Sequence, residues 1–274
     1  MTQSAAPSAA LASTGPVSAP SRIGLIVPSS NTTMETELPE LFRQQTAATG
    51  QTYPFHSARA ALKNVTTEEL LAMAGKAAQC AADVSDANVD VIAYACLVAV
   101  MAQGPGAHTD AEAVIAQAAA DNGHVATVTS SAGALVRTLQ EIGARKVVMV
   151  APYMAPLTKM VSEYIQGAGI EVLEAVSLEV ADNLAVGCLD PHNLPAIARG
   201  LNYADADAIV LSACVQMPSL AAVQAVEDEL GVPVITAATA TTYEILKALG
   251  HQPAIVGAGS LLSGSIQTLT RVQG

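Results

Sequence analysis

Apolar residues in this chain come in short runs rather than one long stretch. Runs rich in Val, Ile and Ala at 22–27 (RIGLIV), 89–95 (VDVIAYA), 124–129 (HVATVT), 146–151 (KVVMVA), 207–213 (DAIVLSA), 232–236 (VPVIT) and 254–258 (AIVGA) read as strands, with weaker candidates near 52–59 and 170–177. Most are continuously hydrophobic instead of alternating, as expected of strands buried on both faces of a parallel sheet. Between them lie helix-like segments with legible starts. Thr66 and Glu69 stand at capping-box spacing before LLAMAGKAAQCAADV, and Asp190-Pro191 offers an N-cap followed by proline at the first helical position. Met73, Ala77, Cys80 and Val84 recur at helical spacing, which puts Cys80 on the apolar face of its helix.

The pattern occurs twice. RIGLIVPSSNTTMETELPELF runs strand, proline, polar turn, helix, and KVVMVAPYMAPLTKMVSEYI repeats it with Pro152 answering to Pro28. VIAYACLVAVMAQGPG, around Cys96, is answered by AIVLSACVQMPSLAAV around Cys214. VATVTSSAGALVRTLQEIGARKVVMV is answered by VPVITAATATTYEILKALGHQPAIVG. A period near half the chain is too long for a solenoid. It predicts an α/β fold of two similar three-layer lobes with mostly parallel sheets, related by a pseudo-twofold axis, with the strand-end loops of both lining one cleft. The expected boundaries are a disordered tail over 1–21, a first lobe over 22–130 plus about 240–274, and a second lobe over 131–239, the last strand returning to the first lobe.

Composition narrows the function. Residues are 51% hydrophobic with mean hydropathy +0.39, yet no run approaches the roughly 20 apolar residues that span a bilayer, so no membrane partner is expected. A formal charge of −12, 3% aromatics and no Trp argue against nucleic acid, which is held by Lys, Arg and stacking rings. The first 20 residues carry no charge and no continuous apolar segment, which reads as a tail rather than a secretory signal and points to the cytoplasm. The four cysteines, at 80, 96, 188 and 214, form neither CxxC nor Cys/His clusters, so reduced thiols are expected rather than disulfides or zinc. Histidines 56, 108, 124, 192 and 251 have no metal spacing. The GPG at 104–106 lacks both the dinucleotide fingerprint and the Walker lysine. No metal and no cofactor is expected.

In parallel sheets the functional loops lie at the C-terminal ends of strands, where helix N-termini gather. Cys96 and Cys214 both occupy such ends. An isolated cysteine is most often a small buried hydrophobe; two in duplicated contexts read instead as a facing pair of reactive thiols. A thiol of pKa about 8.5 is only roughly 3% thiolate at neutral pH, so neighbouring donors would have to activate it. Cys188, without a duplicate, reads as structural. In PSSNTTMETE, one of Ser30, Asn31 or Thr32 is expected to cap the following helix, and Asn31 with the free N–H groups equally makes an uncharged carboxylate cradle. Tyr153 holds the equivalent place in the second half, as a packing residue with a bonded hydroxyl or as a ligand contact. Asn183 in EVADNLAVG is a turn former or a second such contact.

Taken in order, GLIVPSSNTTMETE, YACLVA, VAPYM, ADNLAVG and SACVQMPSL resemble the motifs of the aspartate/glutamate racemase superfamily of two-cysteine, cofactor-independent enzymes and, within it, those of the maleate cis-trans isomerases. The resemblance covers roughly residues 22–274. It implies that Cys96 is the nucleophile and Cys214 its acid/base partner. Asn31, Tyr153 and Asn183 would hold the substrate carboxylates, with backbone groups around Leu97, Val98, Val215 and Gln216 completing the binding. The implied reaction is thiolate addition to the double bond of maleate, rotation about the resulting single bond, and elimination to fumarate, with neutral donors stabilising charge that spreads into a carboxylate. The expected partner is that small dicarboxylate, and a homodimer or higher homo-oligomer is expected. The residues alone do not say which thiol attacks first. Three other readings stay open: a two-cysteine racemase of an aspartate-like amino acid, though none of the motifs offers an acidic group for its ammonium; a malonate-type decarboxylase, which needs only one of the cysteines; and a two-lobed dicarboxylate-binding module, a class that is normally exported.

Overall fold

The computed structural model describes residues 19–64 and 66–266. The expected tail lies outside them as far as residue 18, as does the end of the first lobe from 267. Residues 19–21 are already tied down, Ser21 donating its N–H to Thr52 and Gln51 donating to the Ala19 carbonyl.

The first half runs β1 (Ile23–Pro28), α1 (Met34–Thr49), β2 (Phe55–Ala60), α2 (Thr67–Ala74), α3 (Ala77–Ser85), β3 (Val91–Tyr94), α4 (Leu97–Met101), α5 (Ala107–Asp121), β4 (Thr127–Ser130) and α6 (Ser131–Glu141). The second runs β5 (Lys146–Ala151), α7 (Ala155–Gly167), β6 (Glu171–Ser177), α8 (Asn183–Gly187), a 3-10 turn (Pro191–Asn193), α9 (Leu194–Arg199), β7 (Ala208–Ser212), α10 (Leu220–Leu230), β8 (Val234–Thr236), α11 (Ala237–Ala248) and α12 (Ser260–Ser263). Two four-stranded sheets result, ordered β2-β1-β3-β4 and β6-β5-β7-β8, and every ladder is parallel. The second half therefore repeats the first strand for strand, as the duplicated sequence requires.

Burial explains which strands were legible. The inner strands β1, β3 and β7 are buried at every position, so their sequences are unbroken apolar runs. The edge strands β2 and β6 are mostly half-exposed and read weakly for that reason. Both β4 and β8 feed a capped helix at once: Ser130 accepts from the Gly133 N–H at 3.1 Å, and Thr236 from the Thr239 N–H at 3.1 Å. The two helices so started, α6 and α11, pack along each other, and α11 also leans on α1, β3 and β4.

Three expectations need correcting. Segment 254–258 is not a strand. Its backbone donors are taken outside any ladder, Ala254 by the Gln45 side chain of α1 and Ile255 by the Leu262 carbonyl, and Gly257 and Gly259 turn the chain at φ of 87° and 84°. Ile255 is buried, so its apolar signal was real and only its backbone was misassigned. The helix after Thr66 breaks at Gly75 into α2 and α3, although Met73, Ala77, Cys80 and Val84 do share a buried face. The capping box there is half formed. Thr66 accepts from the Glu69 N–H, but the Glu69 carboxylate takes the N–H groups of Lys63 and Asn64 instead of returning to Thr66. Among the described residues no helix is long and apolar enough to cross a membrane.

Candidate active site

In each sheet the strand order reverses between the two inner strands, and a crevice opens outside their C-terminal ends at such a point. For the first sheet that crevice follows β1 and β3; for the second it follows β5 and β7. The two face each other. Between them lies a small cavity of about 20 Å³ lined by Pro28, Asn31, Leu62, Cys96, Val98, Tyr153, Asn183, Cys214, Val215 and Gln216. Eight of the nine residues named from the sequence line it. The ninth, Leu97, begins α4 with its side chain fully buried and does not reach the cavity wall. Pro28 and Leu62 were missed. Leu62 follows β2, so the strand-end rule would have found it had that edge strand been read with confidence in its end.

The two thiols sit differently. Cys96 is the N-cap residue of α4, 1% exposed, with the Ala99 N–H of the first turn nearby but no capping bond to its side chain. Burial, helped by the nearby Cys214 and opposed by that N–H, pushes its thiol up to about 12. Cys214 follows β7 in a turn whose Gln216 N–H points at the sulfur at 3.2 Å. Its thiol is also pushed up by burial, against the pull of the Tyr153 hydroxyl and the Gln216 and Met217 N–H groups, while the Glu37 carboxylate adds to the rise. Tyr153, itself buried, donates its hydroxyl to Cys214, and burial raises its ionisation well above the usual phenol range.

Asn31 caps α1, the first of its two readings. Its Oδ1 accepts from the N–H groups of Thr33 and Met34 at 3.0 and 2.9 Å, capping α1, while Nδ2 reaches across the cleft to the Val215 carbonyl at 3.0 Å. More bonds follow the same path. Thr33 Oγ1 donates to the Gln216 carbonyl at 2.6 Å and the Thr32 N–H to Gln216 Oε1 at 2.9 Å. Gln216 Nε2 donates to the Asn183 carbonyl at 2.8 Å, and Asn183 Nδ2 to Ser30 Oγ at 2.7 Å, so α8 is tied over the cavity. Gly187, at the end of α8, lies so close that a Cβ there would come within 2.4 Å of Thr32 Oγ1 and 2.7 Å of Gln216 Nε2. Arg59 braces the turn from behind, donating to the carbonyls of Ser29 and Asn31 and paired with Glu35.

No lysine, arginine, aspartate or glutamate lines the cavity. Its polar groups are amides, a phenol, backbone donors and two thiols, a set that suits a small anion undergoing nucleophilic addition. Cys80 is buried in α3 as expected, whereas Cys188 is exposed as the C-cap of α8, outside the cavity. Among the described residues no group of three or more His, Cys, Asp or Glu is placed to hold a metal ion.

A family model described as arylmalonate decarboxylase matches residues 23–262. A maleate isomerase of Geobacillus stearothermophilus is 53% identical over 244 residues, covering 89% of this chain and 97% of that one. The chain belongs to the maleate isomerase family. The crystal structure of the maleate isomerase Iso from Pseudomonas putida matches it with a TM-score of 0.88 at 47% identity, covering 89% of this chain and 98% of that one. A cysteine-to-serine mutant of the Nocardia farcinica maleate cis-trans isomerase, with a covalently bound succinylcysteine intermediate, matches with a TM-score of 0.85 at 45% identity and the same coverage. Addition of a cysteine thiolate to maleate gives a succinylcysteine, so that family member carries the adduct the paired thiols of this cavity are suited to form.

Proposed function

We infer that this protein isomerises maleate to fumarate without a cofactor, by adding a cysteine to the double bond, and that Cys96 is that cysteine. The observation that carries the reading is the convergence of two duplicated strand-end thiols on one cavity with uncharged walls. The Cys96 thiolate adds to one alkene carbon, and the π pair moves to the adjoining carbon and into its carboxylate. Cys214 donates its proton to that carbon, giving a succinyl thioether whose central bond rotates. The Cys214 thiolate then takes a proton back and the C–S bond breaks, returning the pair to Cys96 and releasing fumarate. Atoms and electrons balance without redox change.

Asn31, Tyr153 and Asn183 hold the two carboxylates, with N–H groups near Leu97, Val98, Val215 and Gln216. Neutral donors leave a carboxylate free to accept electron density, whereas a Lys/Arg clamp would favour the ground-state dianion as much as the transition state. A cavity of about 20 Å³ has room for roughly one water, so the dicarboxylate is admitted only when a wall moves. The racemase reading is disfavoured because no cavity wall is acidic. The proposal further divides the lobes at 22–130 with about 240–274 and 131–239, in keeping with the contacts of α11 on β3 and β4. It places the enzyme in the cytoplasm, where thiols stay reduced, as a homodimer or higher homo-oligomer.

The test is incubation with maleate alone, followed by proton NMR for fumarate and peptide mass spectrometry of the Cys214→Ser variant. Fumarate from the unaltered enzyme and a maleate-sized adduct on the Cys96 peptide of the variant are expected. No fumarate would sink the reading; an adduct on Cys214 in a Cys96→Ser variant alone would exchange the two roles.

A further inference from the structure

Glu37 lies in the first turn of α1, 9% exposed, and forms no ion pair among the described residues. A buried carboxylate without a cation is costly unless hydrogen bonds hold it. Its partners come from the other half of the chain: Oε1 accepts the N–H groups of Ser219 and Leu220 at 2.6 and 2.7 Å, and Oε2 faces Ser219 Oγ at 3.5 Å. These are the first groups of α10, the helix that follows the Cys214 turn. The N-cap Ser219 makes no capping bond of its own, so α10 is capped from across the cleft. Elsewhere Ser130, Asp182 and Thr236 cap the helices that follow them locally.

Among the described residues no carboxylate caps the duplicated turn after Cys96. There α4 starts directly at Leu97, and its N-cap Cys96 makes no side-chain capping bond. The two thiols, alike in sequence context, therefore precede unlike helices: α10, after Cys214, is capped by a carboxylate from the other half of the chain, and α4, after Cys96, is not. Resting on the isomerase reading above, we propose that Glu37 is a positioning residue that clamps the Cys214 turn from the opposite lobe and directs the negative charge of the site to Cys96 rather than to Cys214. Facing Cys214 are the Tyr153 hydroxyl and the Gln216 and Met217 N–H groups, which favour a thiolate there, together with Cys96 and the Glu37 carboxylate, which oppose it. Burial pushes Glu37 itself up, against the pull of the Leu220 and Ser219 N–H groups.

Glu37→Gln keeps an oxygen for both N–H groups and removes the charge. The first measurement is the rate of iodoacetamide alkylation of the Cys214 peptide against pH, by mass spectrometry, in a Cys96→Ser background with and without Glu37→Gln. The second is the pH profile of kcat for maleate with both native cysteines present. The proposal expects Cys214 to ionise at lower pH in the Gln variant and the alkaline limb of kcat to move the same way, with KM little changed. A variant whose only change is a lower Tm, with both profiles unmoved, overturns it. The alkylation shift does not depend on turnover: if it occurs while the unaltered enzyme makes no fumarate, the isomerase reading fails and the clamp stands. Glu37→Ala should lower Tm more than Glu37→Gln, since it also uncaps α10.

Discussion

At the scale of single residues, the site depends on thiols that the fold keeps neutral until needed. Burial lifts Cys96 from an ordinary value of 9.0 to about 12. The sign of the consequence is definite. Folding raises the thiol's pKa, so the folded state holds its proton more tightly, and stability is lost as pH climbs from the unfolded value through the folded one. Thermal melts should therefore show Tm falling between about pH 9 and 12; Cys96→Ser should flatten part of that fall. A Tm insensitive to the substitution across this window would contradict the burial argument. The candidate residues themselves were legible because two identities recur in equivalent contexts, and a cysteine repeated at matched strand ends is a stronger signal than a lone one. The role of Glu37 was not legible. Nothing in METELPE separates a carboxylate that caps a distant helix from one that faces water, since the distinction arises only when α1 meets α10.

At the scale of elements, α8 shows how a short helix serves the site through one missing side chain. It carries Asn183 at its start and is drawn onto Thr32 and Gln216 at Gly187. Replacing Gly187 by Ala sets two effects against each other. Alanine in a helix is worth about 1 kcal/mol over glycine, while a Cβ 2.4 Å from Thr32 Oγ1 and 2.7 Å from Gln216 Nε2 must push α8 outward. The expected outcome is a Tm within a few degrees of the original and a kcat/KM reduced by at least about tenfold, since a misplacement of about 1 Å costs up to a hundredfold in rate. Steady-state assays with maleate beside a thermal melt decide it; full activity in Gly187→Ala would mean α8 need not lie this close. Elements themselves were read well where burial made their sequences uniform, as in β1, β3 and β7. The reading failed at 254–258, where an apolar run is buried without a ladder because Gln45 and Leu262 take its donors. Hydrophobicity reports burial, and only the backbone's partners distinguish a strand from a buried loop.

At the scale of the whole molecule, duplication creates a cleft and also the problem of holding two lobes in register around it. One set of ties runs through the site itself, from 31–37 to 214–220. A second lies away from it, where α6 and α11 pack together. There Arg137 on α6 donates to Glu112 on α5 at 3.0 Å and to Glu244 on α11 at 2.8 Å, and also to Thr129. Neither carboxylate is more than 15% exposed, though the arginine side chain is 31% exposed. Removing the cation leaves two poorly solvated carboxylates together. Breaking a fully buried pair costs about 3–5 kcal/mol, and the partial exposure here reduces that to roughly 2–3 kcal/mol. Arg137→Met should accordingly lower Tm by about 5–8 °C, given the roughly 2–4 °C per kcal/mol of a chain in this size range. Because the network joins helices against which both sheets are packed, unfolding should remain one transition rather than split in two. The kcat and KM measured well below the transition should stay near the original values, since no atom of the network lines the cavity. Adding Glu112→Gln and Glu244→Gln to the methionine variant should recover part of the loss by removing the stranded charges. A melt that resolves into two steps, one for each half, would instead mean that the lobes are held together only by the ties across the active site, and that the repeat at α6 and α11 is a scar of duplication without a mechanical role.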